Sequence, residues 1–210
     1  MKLALVAAGV AALLALPATA SAAALTITPK RSCYGADETI RLRGTGFTPD
    51  KSVRVTRDGI PLKGSLVADE TGTVSATLKL VKPGGDLERR TYTATDTADP
   101  SNSASAGIVV SDLNVSMRPR SGDPAEPREI TAKGFTTGSD TLWAHIVFRG
   151  SVRNIRIGKL KGACGTLRAK RRLFDRGAPL GQRYIHFDTT RKFRKQTAQR
   201  ESFSFRIFSG

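Results

Sequence analysis

Gly44-Thr45-Gly46-Phe47-Thr48-Pro49-Asp50 returns as Ala132-Lys133-Gly134-Phe135-Thr136-Thr137-Gly138, and each copy stands between two runs that alternate apolar and polar residues. Glycine and proline set a bend, and the phenylalanine between them is placed to plug one end of a core. The stretch therefore reads as the turn joining the second and third strands of a small β-sandwich. Two copies imply two domains.

Outward from the first copy, Thr39-Ile40-Arg41-Leu42-Arg43 before it and Ser52-Val53-Arg54-Val55-Thr56-Arg57 after it keep a period of two, the signature of half-buried strands. Asp58-Gly59 closes the second run as a tight hairpin turn. Leu25 to Thr28, Leu66 to Ala68, Thr73 to Leu80, Tyr92 to Asp96 and Ala106 to Val110 complete seven short strands, each bounded by turn residues. The second half repeats the order. Val115 to Pro119 opens it, Leu142 to Phe148 ends at Arg149-Gly150, Gly165 to Ala169 overlays Gly72 to Ala76, and Tyr184 to Asp188 overlays Tyr92 to Asp96. Ser202 to Ile207 is its last strand. The expected fold is all-β, two tandem immunoglobulin-like β-sandwiches over residues 23–112 and 113–210.

Residues 1–22 read as a signal peptide: Lys2, an apolar run from Leu3 to Leu16, Pro17, then the small residues Ala20-Ser21-Ala22. That run is too short for a transmembrane helix, which needs roughly 20 apolar residues, so the expected location is secreted, extracellular or at the cell surface. The net charge of +16 is uneven. Residues 24–112 carry 12 Lys and Arg against 11 Asp and Glu, a net +1, whereas residues 113–210 carry 21 against 7, a net +14. Such a field draws in polyanions without saying anything of fold. The other reading of the charge is a solvated basic surface.

The Gly-Phe turn, Asp58-Gly59, Gly72 and the Tyr92 strand resemble bacterial Ig-like domains of secreted surface proteins. Leu142-Trp143-Ala144-His145, Gly162-Ala163-Cys164-Gly165 and Phe187-Asp188 are similar to a C-terminal Ig-like module of uncharacterised secreted, actinobacterial-type proteins. The resemblance implies fold and export, and no specific activity.

Cys33 and Cys164 are the two cysteines. Cys33 falls in the turn after the first strand of domain one, and Cys164 in the turn between the fourth and fifth strands of domain two. These turns lie at opposite ends of a sandwich, so two domains running head to tail bring them together, and a disulfide across the junction is expected. On alternation, Trp143, His145, Tyr184 and His186 fall on one outward sheet face, a candidate glycan platform; the other reading packs Trp143 or Tyr184 in a core. Two basic runs are candidate polyanion-binding residues: Arg168, Lys170, Arg171 and Arg172, and Arg191, Lys192, Arg194 and Lys195.

No catalytic motif, metal-ligand spacing or cofactor-binding loop is present in the sequence. The function expected is a non-enzymatic binding module of the envelope or extracellular space, its second domain engaging an anionic polymer or glycan, with export arguing against nucleic acid. The alternative is a structural spacer or adhesion protein without a specific ligand.

Overall fold

The structure is a computed structural model describing residues 22–208. The leader read over residues 1–22 lies outside the described residues, apart from Ala22. Among the described residues all regular structure is β, and no helix is long and apolar enough to cross a membrane.

The chain forms two sandwiches built alike. In the first, β1 (Ala24–Thr28), β3 (Thr39–Thr45) and β7 (Val74–Lys79) make a three-stranded antiparallel sheet in the order β1-β3-β7. The facing sheet runs β2-β9-β8-β4-β5, from β2 (Tyr34–Gly35), β9 (Ser103–Ser111), β8 (Leu87–Asp96), β4 (Ser52–Arg57) and β5 (Ile60–Pro61), with β6 (Leu66–Val67) also on β4. The second sandwich repeats this. Its smaller sheet is β10 (Asn114–Arg118), β12 (Arg128–Lys133) and β15 (Leu167–Arg171). Its larger sheet runs β11 (Ser121–Gly122), β17 (Glu201–Ile207), β16 (Gly181–Asp188), β13 (Thr141–Phe148) and β14 (Ser151–Lys159). In both, the short strand after the first one pairs parallel with the last strand, and every other pairing is antiparallel.

Alternation decides which side chains enter each core. Ile40 and Leu42 of β3, Val53 and Val55 of β4 and Tyr92 and Ala94 of β8 are buried together, as are Val115, Ile130, Leu142, Ala144, Ile185, Phe187 and Phe205 in the second cluster. Phe47 and Phe135 are both buried, each closing one end of its core. The turn around them is held by a glycine from the connection that crosses between the sheets, β6 to β7 in the first sandwich and β14 to β15 in the second. Gly72 has φ +72° and Gly165 φ +54°, and a Cβ would stand 2.2 Å from the carbonyl oxygen of Phe47 and 2.1 Å from that of Phe135. Only glycine permits that approach.

One overlay needs correction. Val55 pairs with Ala94, and Ile146 with Ile185. Val55 and Ile146 stand three residues before Asp58-Gly59 and Arg149-Gly150, so this strand repeats after 91 residues and not 92. Tyr184 therefore does not inherit the place of Tyr92: Tyr92 is buried, while Tyr184 is 54% exposed.

Cys33 and Cys164 form a disulfide, with 5.3 Å between their Cα atoms. It sits where the first sandwich abuts the second. Beside it the Thr136 hydroxyl donates to Glu38 Oε1 at 2.8 Å, and Lys133 forms an ion pair with Asp86. Lys82 meets Asp112, in the connection between the sandwiches, at 2.8 Å.

Candidate functional site

The two basic runs do not form one site. Arg168 and Lys170 lie on β15, opposite Thr131 and Glu129 of β12, on the outer face of the three-stranded sheet. There Arg168 is already paired with Glu129 at 2.5 Å, while Arg171 donates to the carbonyl of Ile157 and Arg172 to that of Ala125. This run is largely engaged by its own domain.

Arg191, Lys192, Arg194 and Lys195 belong to the other sheet, in the connection from β16 to β17. That connection has twelve residues, 189–200, against six, 97–102, at the same place in the first sandwich. All four cations are exposed, and among the described residues none of them is in an ion pair.

The loop is fastened across the face on which the glycan platform is expected. Register places Trp143, His145 and Val147 of β13 beside Asp188, His186 and Tyr184 of β16, so the outward phase of both strands is as alternation reads it. Over the two histidines the face is nevertheless covered. Phe193 lies over both histidines, its ring centroid 5.7 Å from that of His145 and 5.2 Å from that of His186. His145 is fully buried, so the expectation of an open platform holding both histidines is corrected; Tyr184 alone among the four is largely exposed. The physical reason is that a strand's alternation reports its own two faces and not what a distant loop lays over one of them.

Beneath Phe193 is a network of polar groups. Asp188 Oδ1 lies 3.0 Å from His145 Nε2 and accepts from the Thr190 N–H and hydroxyl at 2.8 and 2.5 Å. Asp188 Oδ2 accepts from Arg200 Nη2 and Nε at 2.7 and 3.1 Å. His145 Nδ1 meets Asn154 Oδ1 at 2.6 Å, and the Phe193 N–H donates to the same oxygen at 3.2 Å. Burial pushes the Asp188 carboxyl up, but donors from Thr190 and Arg200 outweigh it and hold it below the usual carboxylate range. Arg200 also donates to the carbonyls of Lys195 and Arg194 at 3.1 and 2.5 Å, so one guanidinium ties the basic loop to the sheet.

The far end of the loop is tied to the domain junction. Gln199 Nε2 donates to the Gly134 carbonyl and to the Thr136 hydroxyl oxygen, each at 3.0 Å, and its Oε1 accepts from the Thr137 N–H at 3.0 Å. In the first sandwich Asn102 Nδ2 makes the matching bond to the Gly46 carbonyl at 2.9 Å. Asp96 at the end of β8 accepts from the Thr48 N–H, and Asp99 in the 97–102 connection accepts from the Ser101 N–H and hydroxyl.

One contact has the outline of catalytic chemistry. His186 Nδ1 and the Ser202 hydroxyl are 2.7 Å apart, a nucleophile and a base within reach. The carboxylate that would orient such a base, Asp188, binds His145 instead. The pair is a cross-strand contact between β16 and β17.

No protein-family model matches the chain, and no curated protein matches it. Solved structures similar to it include a tetra-tandem repeat in the extending region of a large adhesion protein, at 15% identity and a TM-score of 0.32. The adhesin InvE of Yersinia pseudotuberculosis aligns at 11% and 0.32, and a tandem pair of titin Ig domains at 11% and 0.29. These alignments cover 89%, 88% and 89% of this chain and 49%, 58% and 96% of the respective solved chains. This chain thus spans about half the length of the first. The scores are low, and the two-sandwich architecture rests on the sheet pairing and the two cores described above.

Proposed function

We propose that this chain is an exported, non-enzymatic binding module of two Ig-like domains, residues 23–112 and 113–210 behind a leader over 1–22, whose second domain holds an anionic polymer on the 189–200 loop. The observation that carries this reading is the state of Arg191, Lys192, Arg194 and Lys195, four exposed cations without ion-pair partners among the described residues. They sit on a loop anchored by Arg200 to Asp188 and by Gln199 to the junction. A loop already fixed loses little conformational freedom when it binds. Repeated anionic groups spaced along a polymer would meet several of these cations at once, and affinity would fall steeply with salt. The disulfide supports an oxidising, extracytoplasmic location, where acidic polysaccharides and phosphate-bearing envelope polymers are the available polyanions.

The second reading is a spacer or adhesion segment, favoured by the crosslinked junction between the domains. Retention of the full chain on an immobilised acidic polysaccharide separates the two. The binding reading expects retention that is released by salt and lost when Arg191, Lys192, Arg194 and Lys195 are all changed to Ser. A wild-type chain that elutes with the void at low salt would leave only the spacer reading.

A further inference from the structure

The opposite end of the second domain has features that neither the loop nor the junction uses. Between the β13–β14 hairpin and the segment 173–179 lies a groove of about 640 Å³. Its walls are mainly Ile146, Phe148, Val152, Leu173, Phe174 and Pro179. That volume falls in the range that encloses small ligands, roughly 300 to 1,000 Å³.

Among the described residues three arginines are almost fully buried: Arg90, Arg128 and Arg183, at 2, 0 and 3% exposure. Two have a carboxylate placed for them two residues earlier in the chain. Glu88 meets Arg90 at 2.9 Å, and Glu126 meets Arg128 at 3.0 Å. The corresponding residue before Arg183 is Gly181, and among the described residues no carboxylate pairs with Arg183. Its guanidinium donates to the carbonyls of Gln182 and Pro179 and lies 3.1 Å from the centroid of the Phe148 ring. Arg149 approaches the same ring at 5.0 Å. Burial, then the nearness of Arg149, pushes the Arg183 guanidinium below its ordinary value. Buried charges in proteins are normally paired. The groove's one carboxylate, Asp175, is taken by Arg153 at 2.7 Å.

We infer that this groove is a binding site for a small amphiphile with one carboxylate head and an apolar body. The apolar walls take the body, and the head lies against Arg149 at the Phe148 end of the groove; Arg183, buried behind the Phe148 ring, touches no ligand and adds its charge to the positive field there. An apolar pocket with few polar groups at one end selects for a charge at one end of its ligand, and a guanidinium fork matches a carboxylate in geometry. The site lies at the far end of the domain from the 189–200 loop, and stands or falls independently of polymer binding.

Titration calorimetry with dodecanoate below its micellar concentration tests it on the full chain. Saturable one-to-one binding is expected, weakened at least tenfold by Arg149→Ser and by Ala178→Trp, which fills the groove. Dodecanol, with the same body and no charge, is expected to bind at least tenfold more weakly. The variant with Arg191, Lys192, Arg194 and Lys195 changed to Ser should bind dodecanoate as the wild type does. The inference is overturned if dodecanoate does not saturate, if dodecanol binds as well, or if binding survives both groove variants. It is equally overturned if sedimentation shows the groove occupied by a second copy of the chain, with a wild-type dimer that Ala178→Trp dissociates.

Discussion

Cys33 and Cys164 stand 131 residues apart in the chain and are bonded where the two sandwiches meet. The bond closes a loop containing every fully buried residue of the first core and a large part of the second. A chain-entropy argument values a loop of that length at about 5 kcal/mol. Because each sandwich has its own core, the variant Cys33→Ser/Cys164→Ser is expected to keep its far-UV circular dichroism at room temperature. Its unfolding midpoint in denaturant should fall. An unchanged midpoint would mean that contacts such as Thr136 to Glu38 hold the junction alone.

The Gly72 and Gly165 contacts predict a graded response to alanine. At Gly72 and Gly165 the new Cβ would collide with the carbonyl of Phe47 or Phe135, in addition to the positive φ. Overpacking costs about 1 to 3 kcal/mol and left-handed backbone about 1 to 2, so a loss of about 3 kcal/mol is expected for each variant. Gly59 also has positive φ but nothing within 4 Å, and Gly59→Ala should cost only about 1 kcal/mol. Equal losses at Gly72 and Gly59 in denaturant melts would remove the turn lock from the account.

The Gly-Phe turn is the part of the fold most legible in the sequence, whereas its lock by Gly72 or Gly165 comes from further along the chain and is not. A glycine at positive φ and a phenylalanine at a turn are local requirements; alternation along a strand leaves two readings for Trp143, His145, Tyr184 and His186, and the pairing of β13 with β16 is what decides between them. The position of the disulfide was legible too, because the ends of a sandwich follow from strand order. The covering of His145 by Phe193 was not: the two lie 48 residues apart, and Phe193 stands in a basic run that reads as solvated surface. Charge counting also could not separate Arg168 from Arg191, since net charge carries no information on which sheet a residue joins.

The clasp under Phe193 predicts what happens when Arg200 is lost. Arg200→Met leaves the buried Asp188 carboxylate without its guanidinium, and breaking such a pair costs about 3 to 5 kcal/mol. The same change frees the loop, so trypsin should cleave within 191–195 faster than in wild type, whereas Arg206→Met on β17 should leave the cleavage rate unchanged.

His186 sets the acid limit of this arrangement. Burial, then the charges of Arg200 and His145, depress its pKa below the ordinary 6.5. In the unfolded chain His186 takes up a proton first, so its contribution is present above about pH 6.5 and is lost as pH falls through the lower folded value. The NMR titration midpoint of His186 should lie below 6.5, and His186→Gln should flatten the fall in stability on the acid side. A midpoint above 6.5 would reverse the sign and contradict the burial argument.

The most direct test of the central claim compares two charge-neutralised chains on one acidic polysaccharide, by titration across a series of salt concentrations. The first carries Ser at 191, 192, 194 and 195, and the second carries Ser at 168, 170, 171 and 172. The account predicts that the first loses most of its affinity and salt dependence while the second stays close to wild type. Equal losses in both chains, or binding that survives in the first, would contradict it.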